Sequence, residues 1–274
     1  HRTLAVGGAL LDALRRRLDE PEAQRLVTAA PVAAQGKNIA LIRSLDLTQR
    51  LDRDAYKDQL EKYQTRFARR VTNKEFRKRS LVLAFEGSDA AGKGGAIRRV
   101  TGALDARLYH TVPVAAPTEE ERAQPYLWRF WRRVLGHGSI LIFDRSWYGR
   151  VLVERVEGYC SEADWMRAYD EINEFEEQLA RNGAVICKFW LQISKDEQLR
   201  RFEAREQTGF KRFKITPEDW RNRERWEDYE RAVADMVDRT STSIAPWTLV
   251  EANDKYFARV KVLRTICDAL DAAR

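Results

Sequence analysis

Residues 81–95 read LVLAFEGSDAAGKGG, an apolar run followed by a glycine-rich loop. A continuous apolar run of this length is typical of a strand buried on both faces of a parallel sheet. The loop matches the phosphate-binding pattern G-x-x-x-x-G-K-[ST] at Gly87, Gly92 and Lys93. A helix predicted over about 95–104 completes the strand, loop and helix order that the motif requires. The stretch therefore predicts a phosphate-binding α/β domain.

The loop departs from this pattern at one position. Gly94 stands where the usual Ser or Thr binds Mg²⁺. Asp89, inside the loop, is the candidate for holding the metal instead. Backbone N–H groups of such loops surround phosphate oxygens, and the lysine reaches the outer phosphates. We therefore expect phosphate contacts at Gly87, Ala90, Ala91, Gly92, Lys93, Gly94 and Gly95.

Apolar runs recur downstream of the loop and alternate with helical patterns. Alternation of this kind implies right-handed crossovers and a parallel sheet with helices on both faces. We expect a three-layer α/β/α sandwich with a mainly parallel five-stranded sheet. The four further strands are predicted at 109–114, 139–143, 184–192 and 247–251.

The chain is predicted to have an N-terminal helical arm over residues 1–45 and one main domain over residues 46–274. Leucines at helical spacing within 9–19 give the arm an apolar stripe, which we expect to pack on its own domain or on a sister subunit. A charged helix is predicted at 52–70. The main domain includes a lid at about 205–218.

Asp144 follows the strand predicted at 139–143. A carboxylate at the carboxyl end of a parallel strand lies where such sheets bind ligands and can hold Mg²⁺. The alternative is a helix cap. Arg145 is predicted to bind a phosphate bidentately, the alternative being an ion pair with a surface carboxylate. Beside them, Trp147, Tyr148 and Arg150 are candidate nucleotide contacts.

Residues 194–240 predict a helical hairpin with a cationic tip. Ser194 is expected to cap a helix that runs to Arg205, and Thr216 precedes Pro217 at the start of a long second helix. In a phosphotransferase such a hairpin is a lid that excludes water and brings cations to the transferred group. The cations of the tip are Lys211, Arg212 and Lys214.

Other interpretations of the hairpin are a solvated pair of charged helices and a nucleic-acid surface, because Phe210 and Phe213 alternate with lysines. The formal net charge of +7 favours an anionic partner without choosing among nucleic acid, membrane surface, nucleotide and polyphosphate. The three cysteines have no metal spacing and are expected to be reduced, as in a cytoplasmic protein. The chain contains no apolar run of the ~20 residues that a membrane-spanning helix needs.

The chain resembles polyphosphate kinase family 2, whose members resemble thymidylate kinase in fold and move phosphate between inorganic polyphosphate and nucleotides. The resemblance spans roughly residues 45–270. It rests on 85–95, on 116–120 with 128–131, on 143–154, on the lid at 205–217, and on 239–242 with 245–247. It implies that Asp89 and Asp144 hold Mg²⁺, with Mn²⁺ as a substitute, that Lys93 and Arg145 bind phosphates, and that Arg205 stabilises the transferring group.

Within the family, the run Gly149 to Gly158 (GRVLVERVEG) resembles the branch that phosphorylates AMP to ADP. In that branch two homologous domains are often fused and the C-terminal one is active. A chain that begins with His1 and carries one phosphate loop is expected to be such a piece.

The sequence therefore predicts a polyphosphate-dependent nucleotide phosphotransferase with polyphosphate and a purine nucleotide as substrates. We expect a cytoplasmic homo-oligomer, a dimer or tetramer, that binds neither nucleic acid nor membrane. The nucleotide is expected over 87–93, with polyphosphate arriving from the lid side. The alternatives are a kinase that converts ADP or GDP to ATP or GTP, an ATP-dependent nucleotide kinase, and a non-catalytic polyanion or nucleic-acid binder.

Overall fold

The computed structural model describes residues 2–19, 39–209 and 215–273. Two units make up the chain, residues 1–33 and residues 34–274. The first unit is described by helix α1 (Arg2–Asp19), which contains the stretch predicted as helical and begins seven residues earlier.

The second unit is built on a five-stranded sheet in which every pairing is parallel, as predicted. The strands lie in the order β2-β3-β1-β4-β5. Their bounds agree with the predicted strands to within one residue at each end: β1 Ser80–Gly87, β2 Tyr109–Pro113, β3 Ile140–Asp144, β4 Ala184–Gln192 and β5 Trp247–Glu251.

Helices cover both faces of this sheet and make the three layers. The helices of the second unit are α2 Ile39–Arg43, α3 Arg53–Thr72, α4 Lys93–Thr101, α5 Glu119–Arg122, α6 Trp128–Trp131, α7 Val153–Glu157, α8 Glu162–Arg181, α9 Lys195–Glu206, α10 Pro217–Glu224, α11 Trp226–Thr240 and α12 Lys255–Ala272. Among the described residues, short 3₁₀ helices span Lys74–Lys78, Ala106–Leu108 and Trp147–Val151.

Strand β1 is buried on both faces because successive side chains point to opposite sides of the sheet. Leu81, Leu83 and Phe85 pack in one apolar core with side chains from α3, α4 and α12. Val82 and Ala84 pack in the other core with side chains from α8 and α11. This double burial accounts for the continuous apolar run in the sequence.

Residues 39–43 pack with the second unit, although they were predicted to belong to the arm. Ile42 is buried in the core that contains α11, and the Arg43 guanidinium pairs with Glu230 on that helix at 2.7 Å. None of the helices in the described ranges is long and apolar enough to cross a membrane.

The lid hairpin begins as predicted and then differs. Ser194 caps α9, since its hydroxyl accepts the Glu197 backbone N–H. Thr216 precedes α10, which starts at Pro217. The predicted long second helix is two helices, because Arg225 between them has φ −92° and ψ 27°, outside the α-helical range.

The strand order determines where the loops meet. Strands β1 and β3 are neighbours, and Phe85 lies opposite Asp144 in their register. The loops that follow the two strands therefore emerge side by side at the carboxyl edge of the sheet, which is where open parallel sheets bind ligands.

Candidate active site

The phosphate loop follows β1 and needs glycine at two positions for different reasons. Gly87 has φ +152°, and a Cβ there would lie 2.7 Å from the Leu191 carbonyl oxygen of the adjacent strand. Gly92 has φ +109°, a conformation that residues with a Cβ rarely adopt. Helix α4 begins at the next residue. The glycines thus let the chain turn tightly from strand to helix.

Lys93 folds back over the loop. Its ammonium donates to the backbone carbonyls of Gly87 at 2.5 Å and Ser88 at 3.3 Å. Within the described ranges, no carboxylate oxygen lies within 4.0 Å of its Nζ. Burial, and secondarily Arg145, lowers the pKa of Lys93, and nearby carboxylates oppose that shift. The lysine is partly buried, and its hydrogen-bond partners among the described residues are the two carbonyls, so an anion entering the loop would be a stronger partner.

Asp89 is joined to two other elements through its carboxylate. One oxygen accepts from the Arg145 guanidinium at 3.2 Å, and the other accepts from the Asn222 amide on α10 at 2.8 Å. The side chain is 12% exposed. The structure thus brings the predicted loop carboxylate beside the predicted phosphate-binding arginine, although the two lie 56 residues apart.

Asp144 ends β3 next to the phosphate loop. Its charge favours the protonated forms of both Lys93 and Arg145. The alternative role as a helix cap is filled by Ser146, whose hydroxyl accepts the Tyr148 backbone N–H at the start of the next 3₁₀ helix. Asp144 is therefore left at the strand end with its carboxylate near the loop.

These carboxylates fit a magnesium ion. Within the residues described, no group of three or more His, Cys, Asp or Glu side chains forms a ready-made metal site. Mg²⁺ does not require one, because it keeps several waters and binds through one or two carboxylates together with substrate phosphates. Asp89 and Asp144 supply two carboxylates of that kind at one edge of the sheet.

Arg145 has an uncommon backbone conformation, with φ +65°. Residues other than glycine seldom adopt a positive φ, and those that do cluster at active sites and ligand-binding segments. The side chain is 49% exposed. Burial disfavours its charge, but Asp89, Glu86 and Asp144 outweigh that effect and raise its pKa. The cation is held among carboxylates with half of its surface open to solvent.

Glu86 belongs to this site and was missed in the sequence. It is 5% exposed, and it accepts a hydrogen bond from the Ser146 hydroxyl at 2.8 Å. Burial raises its pKa, while Ser146, Lys93 and Arg145 act in the opposite direction. The signal that could have revealed it is a carboxylate at the end of an otherwise apolar run.

Trp147 and Tyr148, which the sequence suggested as candidate nucleotide contacts, are core side chains. Both are fully buried. The indole N–H donates to Glu176 at 3.0 Å, and the Tyr148 hydroxyl donates to the same carboxylate oxygen at 2.6 Å. Both rings therefore pack against α8 and the sheet, and Trp147 is also among the residues that line the cavity described below.

Arg205 lies near the C-terminal end of α9 and is partly buried. Its charge acts on Asp219 of α10 and on Arg201 of its own helix. No described residue makes a hydrogen bond to its guanidinium. The predicted lid cations Lys211, Arg212 and Lys214 lie outside the described residues.

A cavity of about 810 Å³ opens beside the loop, between the segment that follows β2 and the segment that follows β3. Its size is in the range of small-molecule sites. Arg150 lines it, pairs with Glu154 at 2.9 Å and stacks over Tyr126 at 4.6 Å. Further charged side chains around it, missed as a group in the sequence, are Glu121, Arg122, Arg129, Asp164, Arg167, Glu171 and Glu218.

Comparison with known proteins adds the family. The profile of polyphosphate kinase 2 (PPK2) matches residues 50–274. The chain belongs to the polyphosphate kinase 2 family. This confirms the resemblance inferred from its motifs.

Individual relatives differ in how similar they are to this chain. A polyphosphate:AMP phosphotransferase from Pseudomonas aeruginosa is 63% identical over 274 residues, which are all of this chain and 55% of that protein. An ADP-polyphosphate phosphotransferase from Rhizobium meliloti is 42% identical over 188 residues, 69% of this chain and 61% of that protein.

A solved structure assigned to polyphosphate kinase 2 from Pseudomonas aeruginosa has a TM-score of 0.91 and 61% identity, and the match covers 99% of this chain and 55% of that one. The chain thus spans about half the length of the first of these relatives and of this solved protein.

Proposed function

We propose that this chain transfers a phosphoryl group from inorganic polyphosphate to AMP and releases ADP, with Mg²⁺ as the cofactor. An oxygen of the AMP phosphate forms a bond to the terminal phosphorus of polyphosphate. The bond from that phosphorus to its bridging oxygen breaks, and polyphosphate leaves one unit shorter. Such transfer proceeds through a loose transition state that needs positioning and cations rather than a protein nucleophile.

One observation carries the proposal: Arg145 borders both the phosphate loop and the 810 Å³ cavity. It pairs with loop residue Asp89, and the same side chain lines the cavity. A phosphate held by the loop and a phosphate on a ligand in the cavity would meet at this guanidinium. That is the arrangement a phosphotransferase requires.

We propose that the nucleotide occupies the larger cavity and that the donor phosphates occupy the loop, which reverses the arrangement expected from sequence. The cavity bordered by Gly87, Ser88 and Asp89 has a volume of only about 90 Å³, too small for a nucleoside. The larger cavity has arginines for phosphate and apolar walls for a base, including Pro117 and Leu127.

AMP is the proposed acceptor for two reasons. The run Gly149 to Gly158 matches the AMP-phosphorylating branch, and its first residues line the larger cavity. The relative named for AMP is also more similar to this chain than the relative named for ADP. The first reason concerns the acceptor side of the site, and the second concerns the chain as a whole.

Each polar group has a task in this reaction. Asp89 and Asp144 would hold Mg²⁺, which when bound neutralises charge on the phosphates. Lys93 would exchange its two carbonyl partners for donor phosphate oxygens. Arg145 would orient the two phosphates toward each other, and Arg205 would bring a further cation when the lid closes.

The test is a set of paired incubations with Mg²⁺ in which AMP or ADP is the acceptor and polyphosphate or ATP is the donor. We expect ADP from AMP and polyphosphate at a higher rate than ATP from ADP and polyphosphate. ADP that appears with ATP as donor and not with polyphosphate would refute the proposed donor. Faster turnover of ADP than of AMP would refute the proposed acceptor.

A matched pair of variants locates the reaction. Arg129→Met alters the cavity, and Arg69→Met alters an exposed part of α3 that lies outside it. We expect Arg129→Met to raise the KM for AMP and leave the KM for polyphosphate unchanged, while Arg69→Met changes neither. A raised KM for polyphosphate alone in Arg129→Met would contradict the proposed arrangement.

A further inference from the structure

Arg201 is a charged side chain buried at the base of the lid hairpin, 4% exposed. It lies on α9, and its guanidinium holds four backbone carbonyls. One terminal nitrogen donates to Ala90 at 2.9 Å and Ala91 at 3.0 Å, both in the phosphate loop. The other donates to Ala252 at 2.7 Å and Asn253 at 2.9 Å, in the segment after β5.

The neighbouring loop residue is held from the same hairpin. The Gln198 amide, also on α9, donates to the Asp89 backbone carbonyl at 3.1 Å. The Asn222 amide on α10 donates to the Asp89 carboxylate at 2.8 Å. Three consecutive loop residues, 89, 90 and 91, are therefore fixed by hydrogen bonds from two lid helices.

These contacts bear on how the loop binds phosphate. A phosphate loop works when its backbone N–H groups converge on the anion, and carbonyls held by α9 do not face that anion. The carbonyls are buried and need partners, because each buried polar group left unsatisfied costs about 1–3 kcal/mol. Arg201 supplies partners for two of them at once.

The loop also needs to be held because one of its residues is strained. Ala90 has φ +62°, in the left-handed region that residues other than glycine seldom occupy. Such residues keep this geometry when the surrounding structure fixes it. The hydrogen bond from Arg201 to the Ala90 carbonyl is a direct restraint on that peptide.

We propose that Arg201 is a positioning residue that holds the phosphate loop in its anion-binding conformation and ties the lid helix to it. Arg205 lies one helical turn further along α9, so the contact that fixes the loop also fixes the base of the helix that carries Arg205. The inference rests on the proposed function in that the loop ligand is taken to be the polyphosphate donor.

The kinetic test compares two neighbouring arginines that share one carboxylate. Arg201 and Arg200 both donate to Glu197, but Arg200 is 65% exposed and makes no contact with the loop among the described residues. We expect Arg201→Met to raise the KM for polyphosphate at least tenfold and to change the KM for AMP by less than twofold. Arg200→Met should change neither by more than twofold. Equal effects on both substrates would overturn the proposal.

A second measurement follows the phosphate loop by amide hydrogen exchange and does not depend on enzyme activity. Amide hydrogen exchange in the peptide covering residues 86–95 should be at least tenfold faster in Arg201→Met than in the wild type, and unchanged in Arg200→Met. If Arg201→Met does not fold, Arg201→Lys, which keeps a charge but reaches fewer carbonyls, should increase the same exchange to a smaller extent. Unchanged loop exchange in a folded Arg201 variant would overturn the proposal.

A second substitution that rescues Arg201→Met distinguishes a role in positioning the loop from a role in overall stability. Glycine adopts positive φ without strain, so adding Ala90→Gly to Arg201→Met should recover at least threefold in kcat/KM for polyphosphate. If Ala90→Gly restores none of the lost kcat/KM, Arg201 does not act by restraining Ala90.

Wild-type protein that makes no ADP from polyphosphate would instead refute the proposed function, while the exchange measurement would still decide the role of Arg201.

Discussion

The segment 144–148 contributes to two groups of side chains, and these groups differ in how many hydrogen-bond partners their charges have within the protein. The loop cluster is Asp89, Lys93, Asp144 and Arg145, at the carboxyl edge of the sheet. The core cluster is Trp147, Tyr148, Glu176 and Lys188, between the sheet and α8. Both contain a lysine and at least one carboxylate, and only the core cluster is fully enclosed.

Every charge in the core cluster has protein partners. Lys188 is completely buried, and its ammonium donates at 2.7 Å to the Tyr148 hydroxyl, to Glu176 and to the Thr240 backbone carbonyl. The second Glu176 oxygen accepts from Trp147 and Tyr148. Burial raises the pKa of Glu176 and lowers that of Lys188, and the contact between the two charges opposes both shifts.

The charged groups of the loop cluster have fewer hydrogen-bond partners within the protein. Lys93 donates to two carbonyls. Arg145 keeps 49% of its side chain exposed, and within the described part of the chain its guanidinium makes one hydrogen bond, at 3.2 Å, to Asp89. A satisfied network gives rigidity, while an incompletely satisfied one leaves interactions for a ligand. The comparison therefore separates a structural cluster from the proposed catalytic one by hydrogen bonding, since the residue types are similar.

The largest effect is expected from a substitution in the loop cluster. Asp89→Asn keeps the shape of the side chain and removes the charge that would hold the metal. We expect kcat for polyphosphate-dependent ADP formation to fall by about 10³-fold, in line with the loss of one electrostatic contribution to a transition state. The unfolding temperature should stay within a few degrees of the wild type. Wild-type rates in a folded Asn variant would remove Asp89 from the site.

The next largest effect is expected from removing the lysine of the core cluster. Lys188→Met leaves Glu176 buried without its cation, and we expect the free energy of unfolding to fall by about 3–5 kcal/mol in denaturant titrations. The control is Lys261→Met, because the Lys261 to Glu251 pair is 21% and 13% exposed and should contribute less. An unchanged unfolding free energy in Lys188→Met would mean that the pair is not charged in the folded protein.

A smaller effect sharpens the comparison by removing both charges. In the double variant Glu176→Gln and Lys188→Met no charge remains in the core cluster, and replacing a buried ion pair is often close to neutral. We expect the double variant to unfold within about 1–2 kcal/mol of the wild type and to be more stable than Lys188→Met alone. Additive losses from the two substitutions would show that the residues act independently.

Sequence reasoning found the loop cluster because its members are positioned by local rules. Glycine spacing and an apolar run predict a phosphate loop after β1, and a parallel sheet brings the ends of β1 and β3 to the same edge. Asp89 and Asp144 follow from those two rules alone. Membership of the polyphosphate kinase 2 family, first inferred from these motifs, is confirmed by the profile match.

The rest of the site depends on contacts that no local pattern encodes. Asn222 meets Asp89 across 133 residues, and Arg201 meets Ala90 across 111. The burial of Trp147 and Tyr148 was not predicted, because their hydrogen-bond partners Glu176 and Lys188 are of residue types that usually lie at the surface. Lys188 was the available signal, since it stands within the apolar run of β4.

The smallest expected effect tests whether Tyr148 is a core residue or a nucleotide contact. Tyr148→Phe keeps the buried ring and removes the hydroxyl that accepts from Lys188 and donates to Glu176. We expect the free energy of unfolding to fall by about 1–2 kcal/mol, because two buried groups each lose one partner. The KM for AMP should change by less than twofold, since the ring has no exposed surface. A KM that rises tenfold with unchanged stability would mean that Tyr148 contacts the nucleotide after all, and would move it from the core cluster to the catalytic edge.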